Sequence, residues 1–144
     1  MTRWRTTSAA LGALLLAGCG RLDELAYVPT TTPVQFEPEV LHATIDRLMG
    51  YRPERIFQTH FGPVTDLERL AGDLHAALRE LVRIARAHAA APDRRLRIEQ
   101  EMFDYFNAKL DEHGYAGDLA RRHAFIDDDV RLNTAGLEVW LARA

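Results

Sequence analysis

Residues 65–88 of this chain, TDLERLAGDLHAALRELVRIARAH, carry its clearest helical pattern. Apolar side chains recur there at helical spacing, which is typical of a helix lying against a core. Thr65-Asp66-Leu67-Glu68 has the pattern of a capping box, in which the Thr65 hydroxyl and the Glu68 carboxylate bond free amides of the first turn. The sequence therefore predicts a helix that begins at this box and ends near His88, with the apolar stripe Leu67, Leu70, Ala71, Leu74, Leu78, Leu81, Val82 and Ala85.

Only helices are predicted downstream of this segment. Residues 89–92 interrupt the pattern, and a helix over Arg94–Glu112 follows, with Gly114 beyond its end. A short helix over residues 118–125 is expected next. Residues 127–129 would open a last helix, since their aspartates complement the positive end of a helix dipole. The side chains expected to be buried are Ile98, Met102, Tyr105, Phe106, Leu110, Val130, Leu137, Trp140 and Leu141.

Two strand-like segments flank a helical one upstream. Residues 25–36 are rich in β-branched and aromatic side chains, but their prolines confine them to an edge or irregular strand. Glu37-Pro38 favours a helix start and Gly50 a helix end. Residues 55–59 read as a short strand and residues 60–63 as a tight loop. The side chains at helical spacing in the intervening helix are Val40, Leu41, Ile45, Leu48 and Met49.

The composition indicates one domain, or the remnant of a larger one, of the α/β class and mostly helical. The 144 residues include 18 Lys+Arg and 21 Asp+Glu, a formal charge of −3, with 47% hydrophobic and 27% charged side chains. This composition is unlike that of a disordered tail. The slight excess of acidic side chains also lacks the net positive charge that favours nucleic-acid binding. The single cysteine excludes an internal disulfide and a cysteine-based zinc cluster.

The beginning of the chain has the regions of a secretory signal. Arg3 and Arg5 precede an apolar run over residues 9–18, which is too short to span a bilayer as a helix. The run ends in Leu16-Ala17-Gly18-Cys19, which resembles the lipobox of bacterial lipoproteins. In that family the chain is cut before the cysteine and the thiol carries a lipid, which implies lipidation of Cys19 and a cell-envelope location. Two alternatives stay open: a buried Cys19, or an out-of-frame leader on a cytoplasmic chain.

Four further segments follow one another in an informative order. Residues 29–36 (PTTTPVQF) lead into the helical residues 41–48 (LHATIDRL), and residues 55–62 (RIFQTHFG) lead into Asp66-Leu67. Residues 130–137 (VRLNTAGL) lie near the end, followed by a tryptophan. This order resembles the carboxy-terminal part of metallo-β-lactamase-fold hydrolases, in the branch related to glyoxalase II.

The resemblance implies a fold and a domain division. It covers about residues 27–144. Residues 20–91 would form the carboxy-terminal half of an αββα sandwich, with about two short strands, and residues 92–144 its helical extension. Residues 1–19 remain the lipoprotein-like or out-of-frame leader.

The resemblance also implies a metal site. Intact relatives use two zinc ions to activate hydroxide against an ester, thioester or amide, and His60 corresponds to the last histidine of that site, a ligand of the second zinc. The chain departs from the family's main signature, since it has no His-x-His-x-Asp-His run, and Asp23 is not equated with the bridging aspartate. Catalytic zinc normally keeps three protein ligands. We therefore expect this chain alone to retain no zinc and to show very weak hydrolysis or none.

We expect no metal-ligand spacing of the His-x-His, His-Glu-x-x-His or Glu-x-x-His kind among the other histidines, and we expect most of them to be solvated residues on helix surfaces: His42, His75, His88, His113 and His123. Residues 127–129 are explained more simply by helix capping than by a hard-cation site.

Two functions remain after these observations. The first is a truncated or divergent hydrolase whose missing ligands lie on a complementary chain. The second is a small lipid-anchored helical protein that binds a partner, or a second copy of itself, through exposed apolar faces. Such a protein would reach the membrane only through a lipid on Cys19.

Overall fold

The computed structural model describes residues 13–16, 26–29, 36–58 and 62–143. Its elements in chain order are β1 (Ala13–Leu16), β2 (Ala26–Pro29), α1 (Pro38–Gly50), β3 (Ile56–Gln58), β4 (Gly62–Val64), α2 (Leu67–His88), α3 (Arg94–Glu112) and α4 (Leu119–Leu141). The strands form two separate antiparallel pairs, β1 with β2 and β3 with β4. The chain is α/β and mostly helical, as predicted. Within these ranges, no helix has the length and apolarity needed to cross a bilayer.

α2 is the central element, because α1, α3, α4 and β2 all contact it. Most of the predicted stripe is buried, although Ala71 and Val82 are only partly covered. Ala77 and Ile84 are buried as well, because neighbouring helices cover α2 over a wider arc than one stripe. The buried side chains of α2 are Leu67, Leu70, Leu74, Ala77, Leu78, Leu81, Ile84 and Ala85.

The start and stop signals place α1 and α3 as predicted. Pro38 is the first residue of α1, where its fixed φ suits the helix, and Gly50 is the last. α3 spans the predicted residues, and its buried side chains match the prediction except for Tyr105, which is only partly buried.

A glycine closes α3. Gly114 has a φ of 71°, in the left-handed region that favours glycine. Its N–H donates to the Asp111 carbonyl at 3.0 Å, and the Tyr115 N–H donates to the Leu110 carbonyl at 2.9 Å. These are the two bonds of a Schellman motif, which satisfies the last carbonyls of the helix.

Arg122 fastens the connection between α3 and α4. Its Nε donates to the Gly117 carbonyl and its Nη2 to the Tyr115 carbonyl, each at 2.8 Å. Nη1 donates to Asn107 Oδ1 at 2.8 Å, and Nη2 lies 2.7 Å from Asp111 Oδ1. Because the Arg122 side chain is only 14% exposed, these bonds are shielded from water and are stronger than a surface ion pair.

One long helix replaces the two predicted at the end of the chain. α4 runs unbroken from Leu119 to Leu141, and Asp118 caps it by accepting from the Arg121 N–H at 2.9 Å. Residues 127–129 lie inside this helix, so the prediction that they open a helix is wrong. No glycine or proline interrupts residues 118–129, and the backbone therefore continues as one helix.

The predicted capping box does not form. Val64 still belongs to β4, so only Thr65 and Asp66 turn the chain into α2. Asp66 becomes the N-cap in left-handed backbone (φ 55°, ψ 42°), and its side chain does not cap the first turn. Its carboxylate instead accepts from Arg69 Nε at 2.5 Å.

The strands are shorter and more numerous than predicted. Of residues 25–36, only Ala26–Pro29 are described as a strand, and they pair with β1, which lies in the predicted signal segment. Ile56–Gln58 confirm the short strand expected over residues 55–59. The prediction of a tight loop over residues 60–63 is wrong for the last two of them. Gly62 and Pro63 belong to β4, because Gly62–Val64 pair with β3.

We predict that Arg122→Ala lowers the free energy of unfolding by about 2–4 kcal/mol, because it leaves shielded carbonyls of the connection without donors. Chemical denaturation followed by circular dichroism measures the change. Arg121→Ala is the matched control: its side chain is exposed, and we expect a change within about 0.5 kcal/mol. Equal effects of the two substitutions would contradict the role given to Arg122.

Candidate functional site

The two site residues predicted from motifs, His60 and Cys19, both lie outside the described residues. Within the described ranges, no group of three or more His, Cys, Asp or Glu side chains is arranged to hold a metal ion. The features of chemical interest in these ranges lie instead between α1 and α2.

A cleft of 620 Å³ opens between the first turns of α1 and the second half of α2. α1 contributes Glu39 and His42, and α2 contributes basic side chains spaced along one face. The lining residues are Pro38, Glu39, His42, Arg79, Val82, Arg83, Arg86 and Ala87. The cleft therefore has a basic wall on α2 and a mixed wall on α1.

His42 of α1 faces His75 of α2 across this contact. Their Nδ1 atoms lie 2.5 Å apart, and their ring planes differ by only 6° with centroids 4.8 Å apart. The two nitrogens therefore point at each other along the shortest line between the rings. Two lone pairs repel at this distance, so one imidazole must donate a proton to the other.

Asp46 lies on the far side of His75. Its Oδ1 is 3.2 Å from His75 Nε2, while its own side chain is 72% exposed. A carboxylate at this distance favours a proton on Nε2, which leaves the lone pair of His75 on Nδ1, facing His42. In this assignment His42 Nδ1 is the donor of the shared proton.

The environment of His42 disfavours its charged form. Burial lowers the pKa of His42, and the nearby His75 and Arg79 lower it further, against the opposing effect of Asp46 and Glu39. Two imidazolium rings here would place like charges and two N–H groups against each other, so at most one ring of the pair is charged.

The basic wall of the cleft is tied into the fold. Arg83 donates to Glu80 at 2.8 Å and to Glu101 of α3 at 2.5 Å, and the guanidinium carbon of Arg86 lies 5.4 Å from the centre of the Trp140 ring. The Arg83–Glu101 and Arg86–Trp140 contacts link α2 to α3 and α4, and because Arg83 is 51% exposed its ion pair adds only a small stabilisation.

Comparison of the chain with protein-family models, curated proteins and solved structures found no match.

We expected most of the remaining histidines to be solvated, but His42, His75, His88 and His113 are only partly exposed. His88 Nε2 lies 2.5 Å from Glu101 Oε2 and is only 21% exposed. His123 is more exposed, and its ring stacks on Phe103 with centroids 4.2 Å apart. Imidazole contacts therefore contribute to the packing between helices.

Sequence reasoning missed the His42–His75 pair because its members are 33 residues apart. Two signals were available. The expectation that no histidine has Glu-x-x-His spacing is wrong, because Glu39 and His42 have it, which places both on one face of a helix. Each histidine also follows a leucine of an apolar stripe, Leu41 or Leu74, which places it at the edge of the core.

We predict that the pair makes the fold less stable in mild acid. Because the pKa of folded His42 is lowered, the unfolded chain binds a proton at this residue more readily. The free energy of unfolding should therefore fall as the pH drops below about 6.5 and level off below the folded pKa. Denaturation with chelator present, from pH 7.5 down to pH 5, measures this loss.

His42→Asn keeps a polar group near the Nδ1 position and removes the titration, so its stability should depend less on pH over this range. His113→Asn, at the end of α3, is the matched control and should retain the wild-type slope. An unchanged slope in His42→Asn would refute the coupling.

Proposed function

We propose that this chain is a truncated or divergent metallo-β-lactamase-fold hydrolase that depends on residues outside this sequence for catalysis. The order of elements supports the proposal. α1, β3 and α2 follow one another in the order that the resemblance predicts, and His60 comes after β3 in the sequence. α3 and α4 lie within residues 92–144, for which the resemblance predicts a helical extension.

The main observation behind the proposal is the uncovered outer face of the β3–β4 sheet. Among the described residues this sheet has two strands of three residues each. Ile56 and Val64 pack against the core on its inner face, whereas Phe57 on the opposite face is 72% exposed. Sheets of two strands are marginal in water unless further strands or packing support them. We infer that strands from outside residues 1–144 extend this sheet and cover Phe57.

The donors present do not fit a dinuclear zinc centre. Zinc sites with catalytic activity normally have three protein ligands per ion. The sequence lacks the His-x-His-x-Asp-His run, and the described part of the chain has no three-donor group. We therefore assign no hydrolytic step to this chain alone, and we propose that His60 supplies one ligand to a centre whose other ligands come from elsewhere.

The lipid-anchored binding protein remains a prediction. Exposed apolar side chains beyond the sheet favour a surface for a partner: Tyr51 is 76%, Leu96 66% and Leu119 60% exposed. These three side chains lie on different parts of the fold and form no single patch. Phe57 instead lies on β3, which pairs with β4 alone among the described strands. We therefore favour the hydrolase proposal, in which further strands are expected here.

We predict that the purified chain with added zinc hydrolyses thioesters and esters no faster than buffer. Adding the amino-terminal half of a metallo-β-lactamase-fold hydrolase, which carries the His-x-His-x-Asp-His run, should raise zinc uptake above the sum for the two parts measured separately and should restore turnover. Elemental analysis and a thioester assay measure the two effects.

His60→Ala should reduce turnover of the mixture to the level of the amino-terminal half alone, whereas His113→Ala should leave it unchanged. The proposal fails if the mixture takes up no zinc, or if the chain alone holds two zinc ions and turns over rapidly.

A further inference from the structure

The His42–His75 contact brings two imidazole donors from different helices to one point. Both present Nδ1, at a separation of 2.5 Å. Nitrogens that face each other this closely need a positive centre between them, which is either a shared proton or a metal ion. In the neutral pair a single proton occupies this position, and a cation that replaces it gains both lone pairs.

The two rings must move apart and tilt to accept an ion. Zn–N bonds of 2.0–2.1 Å at a tetrahedral angle place two nitrogens about 3.3 Å apart. The nitrogens must therefore separate by less than about 1 Å, and each ring must also turn so that its lone pair points at the ion and no longer at the other ring. Both side chains are partly exposed, which leaves room for this movement. His42 also lines the 620 Å³ cleft, which leaves space for water molecules to complete the coordination.

The surrounding carboxylates match the needs of such an ion. Asp46 Oδ1, 3.2 Å from His75 Nε2, favours the tautomer in which Nδ1 is free to bind metal. Metal-binding histidines commonly give their other N–H to a carboxylate in this way. Glu39 lines the same cleft one turn before His42, and its carboxylate offsets part of the positive charge of Arg79, Arg83 and Arg86 on the opposite wall.

We propose that His42 and His75 bind a late first-row transition-metal ion, Zn²⁺ or Cu²⁺, which clamps α1 to α2. Two protein donors are fewer than a catalytic or a closed structural zinc site normally has, so we expect a weakly held ion whose effect is to link the two helices. Imidazole donors favour Cu²⁺ over Zn²⁺ and give no stable site for Mg²⁺ or Ca²⁺, which prefer oxygen. Arg79 repels the ion, so its removal should strengthen binding.

The site uses none of the residues of the proposed hydrolase centre. It is therefore tested in the full-length His60→Ala variant, in which any contribution of His60 is absent. A failed complementation experiment would then count only against the hydrolase proposal. A failure of His60→Ala to bind metal would count only against the His42–His75 site.

Isothermal titration of chelator-treated His60→Ala with Zn²⁺ and Cu²⁺ should give one equivalent, bound more tightly for Cu²⁺, and no uptake of Mg²⁺. At a tenfold excess of Zn²⁺ over its Kd, Tm should rise by roughly 3–6 °C.

Adding His42→Ala or His75→Ala should weaken binding at least tenfold, and Asp46→Asn should weaken it about tenfold. Arg79→Gln should tighten it, and His113→Ala should leave it unchanged.

A second measurement needs no substitution at the site. Substoichiometric Cu²⁺ should broaden the NMR signals of His42 and His75 before those of His88, His113 or His123. The proposal is overturned if His60→Ala takes up no metal, if His42→Ala/His75→Ala binds it equally well, or if Cu²⁺ first broadens signals elsewhere.

Discussion

The burial of α2 on several sides is the constraint on which the rest of this structure depends. Leu78, Leu81 and Ile84 are almost completely removed from water, and α1, α3, α4 and β2 all pack on the helix that carries them. The same helix carries His75 and the arginines of the cleft. Its packing therefore sets both the core and the position of the polar groups between α1 and α2.

The sequence was sufficient to predict the regular helices. A helical period bounded by Pro38 and Gly50, or by Gly114, placed α1 and α3 correctly because local backbone preferences and burial agree there. Prediction failed at α4 and at the start of α2. Aspartates favour caps but also tolerate exposed helix positions, and the end of β4 at Val64 decides which residue becomes the N-cap of α2.

For the candidate site as well, residues in short motifs could be predicted and a contact between distant segments could not. His60 and Cys19 could be singled out because short motifs place them in known chemical contexts, and their roles remain predictions. The contact between His42 and His75 depends on how α1 docks on α2, which no local pattern encodes. Its partial signal, Glu39-x-x-His42, indicates only one face of one helix.

Native-state hydrogen exchange tests the central claim most directly: the helices form a core of their own, whereas the β3–β4 sheet needs further strands. Amides around Leu81 should exchange only through global unfolding, and those of Ile56 and Phe57 through a much smaller opening free energy. Addition of the complementary half should then protect the strand amides. Strand amides that are as protected as those of α2 in the isolated chain would contradict the account.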